Sequence, residues 1–147
     1  MGELNILMAK KNFDIVVHSI DAPLKKNKIA SYFEKIIEVL PEAKGFSWSI
    51  AVVSDRDMRI LNKNYKDRDK TTDVLAFFYP NGDPQAEIVI SSEMAVKNAP
   101  CYNNSPEEEF LTYLIHGVLH ILGYNDIRKG QKDLMFKKQS DILGKIL

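Results

Sequence analysis

Residues 105–126 constrain this chain more than any other stretch. Ser105-Pro106-Glu107-Glu108 has the form of a helix start: serine can cap, proline suits the first helical position, and Glu108 completes a capping box. The helix it opens runs through Phe110, Leu111, Leu114, Ile115, Val118, Leu119 and Leu122, and Gly123 is a natural stop. His116 and His120 lie within it, four residues apart and so one turn apart on the same side. Gly123 lets the chain turn sharply, and three residues later Asp126 offers a carboxylate.

The pattern His116-x3-His120-x2-Gly123-x2-Asp126 has the ligand spacing of the metzincin type, with Asp in the third ligand position. Two neutral imidazoles and one carboxylate form a three-ligand catalytic set that leaves a coordination position for water or substrate. Zinc suits this set best, and manganese, iron or nickel also fit. The bland alternative is two histidines that merely face each other. It accounts for a lone histidine better than for a pair combined with a glycine break and a spaced acid. Zinc proteases of this class carry a glutamate general base directly after the first histidine, where this chain has Gly117. The absence of a side chain there to accept a proton argues against a conventional metalloprotease.

Around this segment the periodicity predicts interleaved strands and helices. Phe13–His18 reads as a β-branched strand, and Lys28–Leu40 as a helix with Ile29, Tyr32, Phe33, Ile36, Ile37 and Leu40 on its apolar side, stopped by Pro41. Phe46–Val53 alternates as a half-buried strand should. Ser54 with Asp57 opens a helix through Met58, Leu61 and Tyr65. Thr72–Tyr79 and Glu87–Ser91 read as strands joined at the Pro80-Asn81-Gly82-Asp83-Pro84 turn cluster, which allows an antiparallel hairpin. A short helix over Ser92–Asn98 follows, and a last one from about Gln131 to Leu147 carries Leu134, Met135, Ile142, Leu143 and Ile146 as an apolar stripe. The connections around residues 19–45 and 54–70 are long enough for helical crossovers between parallel strands. The expected architecture is α+β with α/β character: a mixed sheet of roughly four strands packed with about five helices, the metal site lying at the C-terminal end of the histidine-bearing helix.

The chain's 147 residues suit a single domain over 1–147, with no internal repeat or linker. Its longest apolar runs, such as Val74–Tyr79 and Val118–Leu122, fall far short of the roughly 20 residues of a membrane span. Met1–Lys10 lacks the basic start and cleavage site of a signal peptide. The single cysteine, Cys101, reads as a buried or idle thiol and points to a reducing cytoplasm. Lys plus Arg (20) equals Asp plus Glu (20), so any nucleic-acid footprint must be a local patch. Arg56, Arg59, Lys63, Lys66, Arg68 and Lys70 supply one, offset by Asp55, Asp57, Asp67 and Asp69; on charge alone a solvated helix face is the better reading. Asp73 either orients a group in the site or caps a strand, His18 reads as a structural histidine, and Trp48 as core.

His116-Gly117-Val118-Leu119-His120-Ile121-Leu122-Gly123-Tyr124 resembles the signature of the YbeY family of bacterial metal-dependent endoribonucleases linked to ribosomal RNA maturation. Asn64-Tyr65-Lys66 through Thr72-Asp73-Val74-Leu75-Ala76-Phe77, the Glu87–Ser91 strand and Met135-Phe136-Lys137-Lys138-Gln139 are similar to further family segments, together covering the last two thirds of the chain. Four positions depart from that pattern. Asp126 stands for a usual third histidine, Asn125 for an Asp, Lys66 for an arginine and Glu87 for an Asp. Asp126 still offers a metal donor, with altered affinity and preference, whereas a neutral Asn125 carbonyl is a poorer zinc ligand. Lys66 keeps the charge and loses bidentate phosphate contact.

The resemblance implies a zinc-dependent endoribonuclease that acts in ribosomal RNA processing. Its ligands would be His116, His120 and Asp126. His116 and His120 would count as catalytic, with Lys66 placing phosphate and Arg59 a weaker candidate for the same role. RNA, as ribosomal RNA or a ribosomal subunit, is the implied partner; no DNA or membrane is expected. The metal either activates water or polarises a phosphoryl oxygen, and the neighbouring 2′-hydroxyl is the alternative nucleophile. Two rival classes are a metal-dependent hydrolase of a non-RNA substrate and a non-catalytic, ribosome-associated metal-binding protein. A purely structural site usually fills four ligand positions, and only three are nameable here.

Overall fold

The computed structural model describes residues 12–19 and 21–147; Met1–Lys10, read above as lacking a signal peptide, lies outside them. Strand β1 (Phe13–Val17) is followed by helix α1 (Lys26–Val39), a 3-10 turn at Pro41–Gly45 and strand β2 (Trp48–Val53). Helix α2 (Asp55–Lys66) then leads to the hairpin of β3 (Val74–Phe78) and β4 (Ala86–Ser91). Helix α3 (Ser92–Asn98), a 3-10 turn at Ala99–Tyr102, α4 (Pro106–Ile121) and α5 (Lys129–Ile146) complete the chain. The mixed four-stranded sheet and five α-helices expected from periodicity are therefore present among the described residues.

The strand order is β1-β2-β4-β3, with β1, β2 and β4 mutually parallel and β3 antiparallel to β4. Within the 19–45 connection, α1 and the turn at Pro41–Gly45 do make a helical crossover between the parallel strands β1 and β2. Residues 54–70 do not. The strand that follows them, β3, is placed at the edge and runs against β4, and it is β4 that pairs parallel with β2. The hairpin lets β4, once its backbone groups are paired on both sides, become an interior strand.

Registers align Ile15, Ile50, Ile88 and Ala76 across the sheet. The three isoleucines are buried and form the floor on which the helical layer rests. Phe33 and Ile36 of α1, with Phe110, Leu111 and Leu114 of α4, join them in one core. Trp48 is core as expected: it is 2% exposed, meets Phe33 edge to face at 5.6 Å, and its indole N–H donates to the Ala43 carbonyl at 2.9 Å. On the opposite face α2 inserts Met58 among Val53, Leu75 and Val89, a smaller second cluster.

Helix α5 corrects part of its expected stripe. Met135, Ile142 and Ile146 are buried, but Leu134 is 57% exposed, and the remaining position on the buried face is Gln139. From Met135 the buried positions step by four, three and four residues, and Leu134 falls off that line. Cys101 is exposed, and His18 is also exposed, just past the end of β1.

Candidate metal centre

Helix α4 begins as its sequence requires. Ser105 Oγ accepts the Glu108 N–H at 3.1 Å, and Glu108 Oε1 accepts the Ser105 N–H at 3.0 Å, so both halves of the capping box are made. The helix then lies close against β4. A Cβ added to Gly117 would come within 2.9 Å of Ile88 Cγ2, a branched methyl in the fully buried floor. Glycine at 117 thus has a packing reason beyond the absent general base: it lets the helix settle far enough to hold its histidines at the sheet surface.

His116 and His120 stand with ring centroids 4.7 Å apart, inclined at 68°. Beyond Ile121 the chain turns at Gly123, whose φ of +103° disfavours any residue with a Cβ. The reversal returns Asp126 to the histidines, each carboxylate oxygen facing one imidazole. Asp126 Oδ2 is 3.8 Å from His116 Nε2, and Oδ1 is 3.8 Å from His120 Nε2. One donor atom from each residue lies within 4.8 Å of the other two. A tetrahedral zinc with bonds near 2.0–2.2 Å sets its donors about 3.3 Å apart, so a modest closure brings these three onto one ion. Two imidazole nitrogens and a carboxylate oxygen fit zinc chemically and leave room for a further ligand. Asn125, considered above as a donor, is turned elsewhere: its Oδ1 accepts the Ile127 N–H at 3.4 Å.

Electrostatics favour the neutral, ligand-ready form of His120. Burial pushes its pKa below the ordinary 6.5, the neighbouring His116 adds to this, and Asp126 opposes it. His116 is oriented from behind by Gln139, the last residue of a family-like segment to which sequence reasoning gave no role. Its Nδ1 is hydrogen-bonded to Gln139 Oε1 on α5, with Gln139 only 5% exposed. An amide oxygen accepts, so Nδ1 carries the proton and Nε2 is left with its lone pair toward Asp126. The available signal was a polar side chain on the buried face of an amphipathic helix, which needs a partner.

Two clefts meet at this cluster. One, of about 850 Å³, is lined by His116, His120 and Asp126 together with Lys66, Arg68 and Lys70. Lys66 ends α2, and its ammonium sits 5.2 Å from the Phe77 ring centroid. The loop carrying Arg68 and Lys70 is tied back to α2 by Asn62, whose Nδ2 donates to the Lys70 carbonyl at 2.9 Å. Arg59 is not brought to this cleft; it pairs with Asp69 at 2.9 Å on an exposed face. Asp73 borders the cleft while its Oδ1 accepts the Val74 N–H at 2.8 Å at the entry to β3.

The family model described as Endoribonuclease YbeY matches residues 14–147. The protein named Endoribonuclease YbeY from Fusobacterium nucleatum is 32% identical over 134 residues, covering 84% of this chain and 83% of that one. Its namesake from Aquifex aeolicus is 33% identical over 134 residues, covering 84% and 88%. The solution structure of TM1509 from Thermotoga maritima aligns with 91% of this chain and 88% of its own, at a TM-score of 0.65 and 28% identity. A match over nearly the whole chain, and relatives of similar length, leave one assignment: this chain belongs to the Endoribonuclease YbeY family.

Proposed function

We propose that this protein is a metal-dependent endoribonuclease, acting on ribosomal RNA in the cytoplasm as a single domain over residues 1–147, with zinc held by His116, His120 and Asp126. The observation that supports this most directly is the convergence of three metal-type donors at the end of a cation-lined cleft. No helix of the described residues is long and apolar enough to cross a membrane. Relatives of this family carry the name endoribonuclease, and RNA is the polyanion that such a cleft suits.

The chain's own residues divide the work. Lys66, Arg68 and Lys70 attract and position the phosphate backbone beside the imidazoles. Gln139 holds His116 in one tautomer and one orientation. Gly117 leaves no carboxylate next to the first histidine, so peptide hydrolysis of the zincin kind has no base here. When bound, zinc supplies Lewis-acid chemistry for a phosphoryl oxygen or for water.

Metal content and RNA cleavage measured on the same samples of wild type, His116→Ala and Asp126→Ala test this reading. About one metal per chain is expected in wild type. Both the metal and RNA cleavage should be lost in each variant. Wild type that holds metal but cuts no RNA would overturn the substrate, and wild type that takes up no metal at neutral pH would overturn the site.

A further inference from the structure

The second cleft that opens from the metal cluster differs in character from the first. It has a volume of about 730 Å³ and shares His116, Asp126 and Asp73 with its neighbour, but runs between α4, α5 and the segment after α3. Its other lining includes Asn98, Tyr102, Asn104, Glu109, Lys132 and Phe136. That volume lies within the roughly 300–1,000 Å³ usual for small-molecule sites.

Charge separates the two clefts by what each can hold. The first gathers Lys66, Arg68 and Lys70. Beyond the shared Asp73 and Asp126, the second adds only Glu109 and Lys132, whose charges offset each other. Phosphate is drawn to the cation-lined cleft, so a nucleotide chain crossing the metal cluster lays its phosphates in the first cleft and an uncharged group in the second. In RNA that neutral group is a base.

The lining also specifies the base. Glu109 is 3% exposed, and its Oε2 accepts from Asn104 Nδ2 at 3.1 Å. A carboxylate offers about four acceptor positions; Asn104 takes one and the Tyr113 hydroxyl faces another, which leaves capacity for a further pair of donors. Guanine alone among the four bases presents two neighbouring donor groups, N1–H and the N2 amine, on its Watson–Crick edge. Uracil would turn carbonyls toward the carboxylate, and adenine and cytosine offer only one amine. Phe136 and Tyr102, both substantially exposed, supply aromatic surface for stacking. The wall behind them is built to stay in place. Burial keeps the Tyr113 hydroxyl protonated far above its ordinary range. That hydroxyl accepts from Asn98 Nδ2 at 3.0 Å and donates to the Met94 carbonyl at 3.3 Å.

We infer that the cleft lined by Glu109, Asn104 and Phe136 is a nucleobase subsite that selects guanine beside the scissile phosphate. The inference rests on the endoribonuclease reading. Its test is to map cleavage sites in unstructured RNA of random sequence for metal-loaded wild type, Phe136→Ala and Glu109→Gln. Wild type should cut with guanine enriched at one position flanking the break. Phe136→Ala, a change of an exposed side chain, should lower kcat/KM about 5- to 150-fold, as expected from the loss of one stacking contact. Glu109→Gln keeps an acceptor for Asn104 and should reduce the guanine preference about tenfold, in line with one lost base-edge contact. Cuts with even base usage in wild type, unchanged in both variants, would overturn the subsite while leaving the nuclease intact. Failure of wild type to cut any RNA would overturn the nuclease reading and the subsite with it.

Discussion

His116 Nδ1 on α4 is hydrogen-bonded to Gln139 Oε1 on α5, a pair twenty-three residues apart in the chain. The contact joins the candidate metal ligand to the last helix, so the packing of α5 bears on the orientation of an imidazole.

Gln139→Leu is expected to weaken zinc binding about 10- to 100-fold, the usual cost of losing a residue that supports a metal-bound histidine. Gln139→Glu retains an acceptor at the same place and should keep most of the affinity. Competition titration against a chromogenic chelator measures both. Equal affinities for wild type and Gln139→Leu would remove Gln139 from the site.

Gly117→Ala sets helix propensity against packing. Alanine is better than glycine in a helix by about 1 kcal/mol. Its Cβ would lie 2.9 Å from Ile88 Cγ2 in the fully buried floor. Overpacking typically costs about 1–3 kcal/mol, so the balance should be destabilising by up to about 2 kcal/mol. Urea unfolding reads the change, and a stabilised variant would show that α4 can lift without loss.

Lys66→Met should weaken RNA binding evenly across sequences and reduce the slope of log affinity against log salt by about 1. Lys66→Arg should restore the slope. An unchanged slope in Lys66→Met would mean that the ammonium stays with the Phe77 ring and does not meet phosphate.

The metal-free protein should gain stability as pH rises toward 6.5. His120 is held below its ordinary 6.5 chiefly by burial, then by His116. Between the lowered value and 6.5 the unfolded chain binds more protons than the folded one, so the free energy of unfolding rises with pH across that window. Above 6.5 this contribution is complete, and below the lowered value it is gone. Urea melts of wild type and His120→Gln from about pH 5 to about pH 8 isolate the effect as their difference. A difference that does not vary with pH would place the folded and unfolded values together.

Much of this protein was legible before any folding because it is encoded over short distances. The Ser105–Glu108 box, the one-turn spacing of His116 and His120, the break at Gly123 and the period of each strand are local properties of consecutive residues. So is the alternation that makes Trp48, Ile50 and Val52 core. What the tertiary structure decided concerns residues far apart. The period of β3 and β4 does not say that β4 takes the interior and β3 the edge, because the pleat repeats identically in either place. Nor does it say that Arg59 spends its charge on Asp69 while Lys66 reaches the cleft. Gln139 could be recognised as a polar residue in an apolar stripe, yet its partner was set only when α5 packed against α4. Gly117, read from sequence as a missing base, became a packing requirement only once Ile88 lay beneath it. Backbone period and capping are settled within a turn or two of chain, whereas strand order and side-chain partners depend on which surfaces the core brings together.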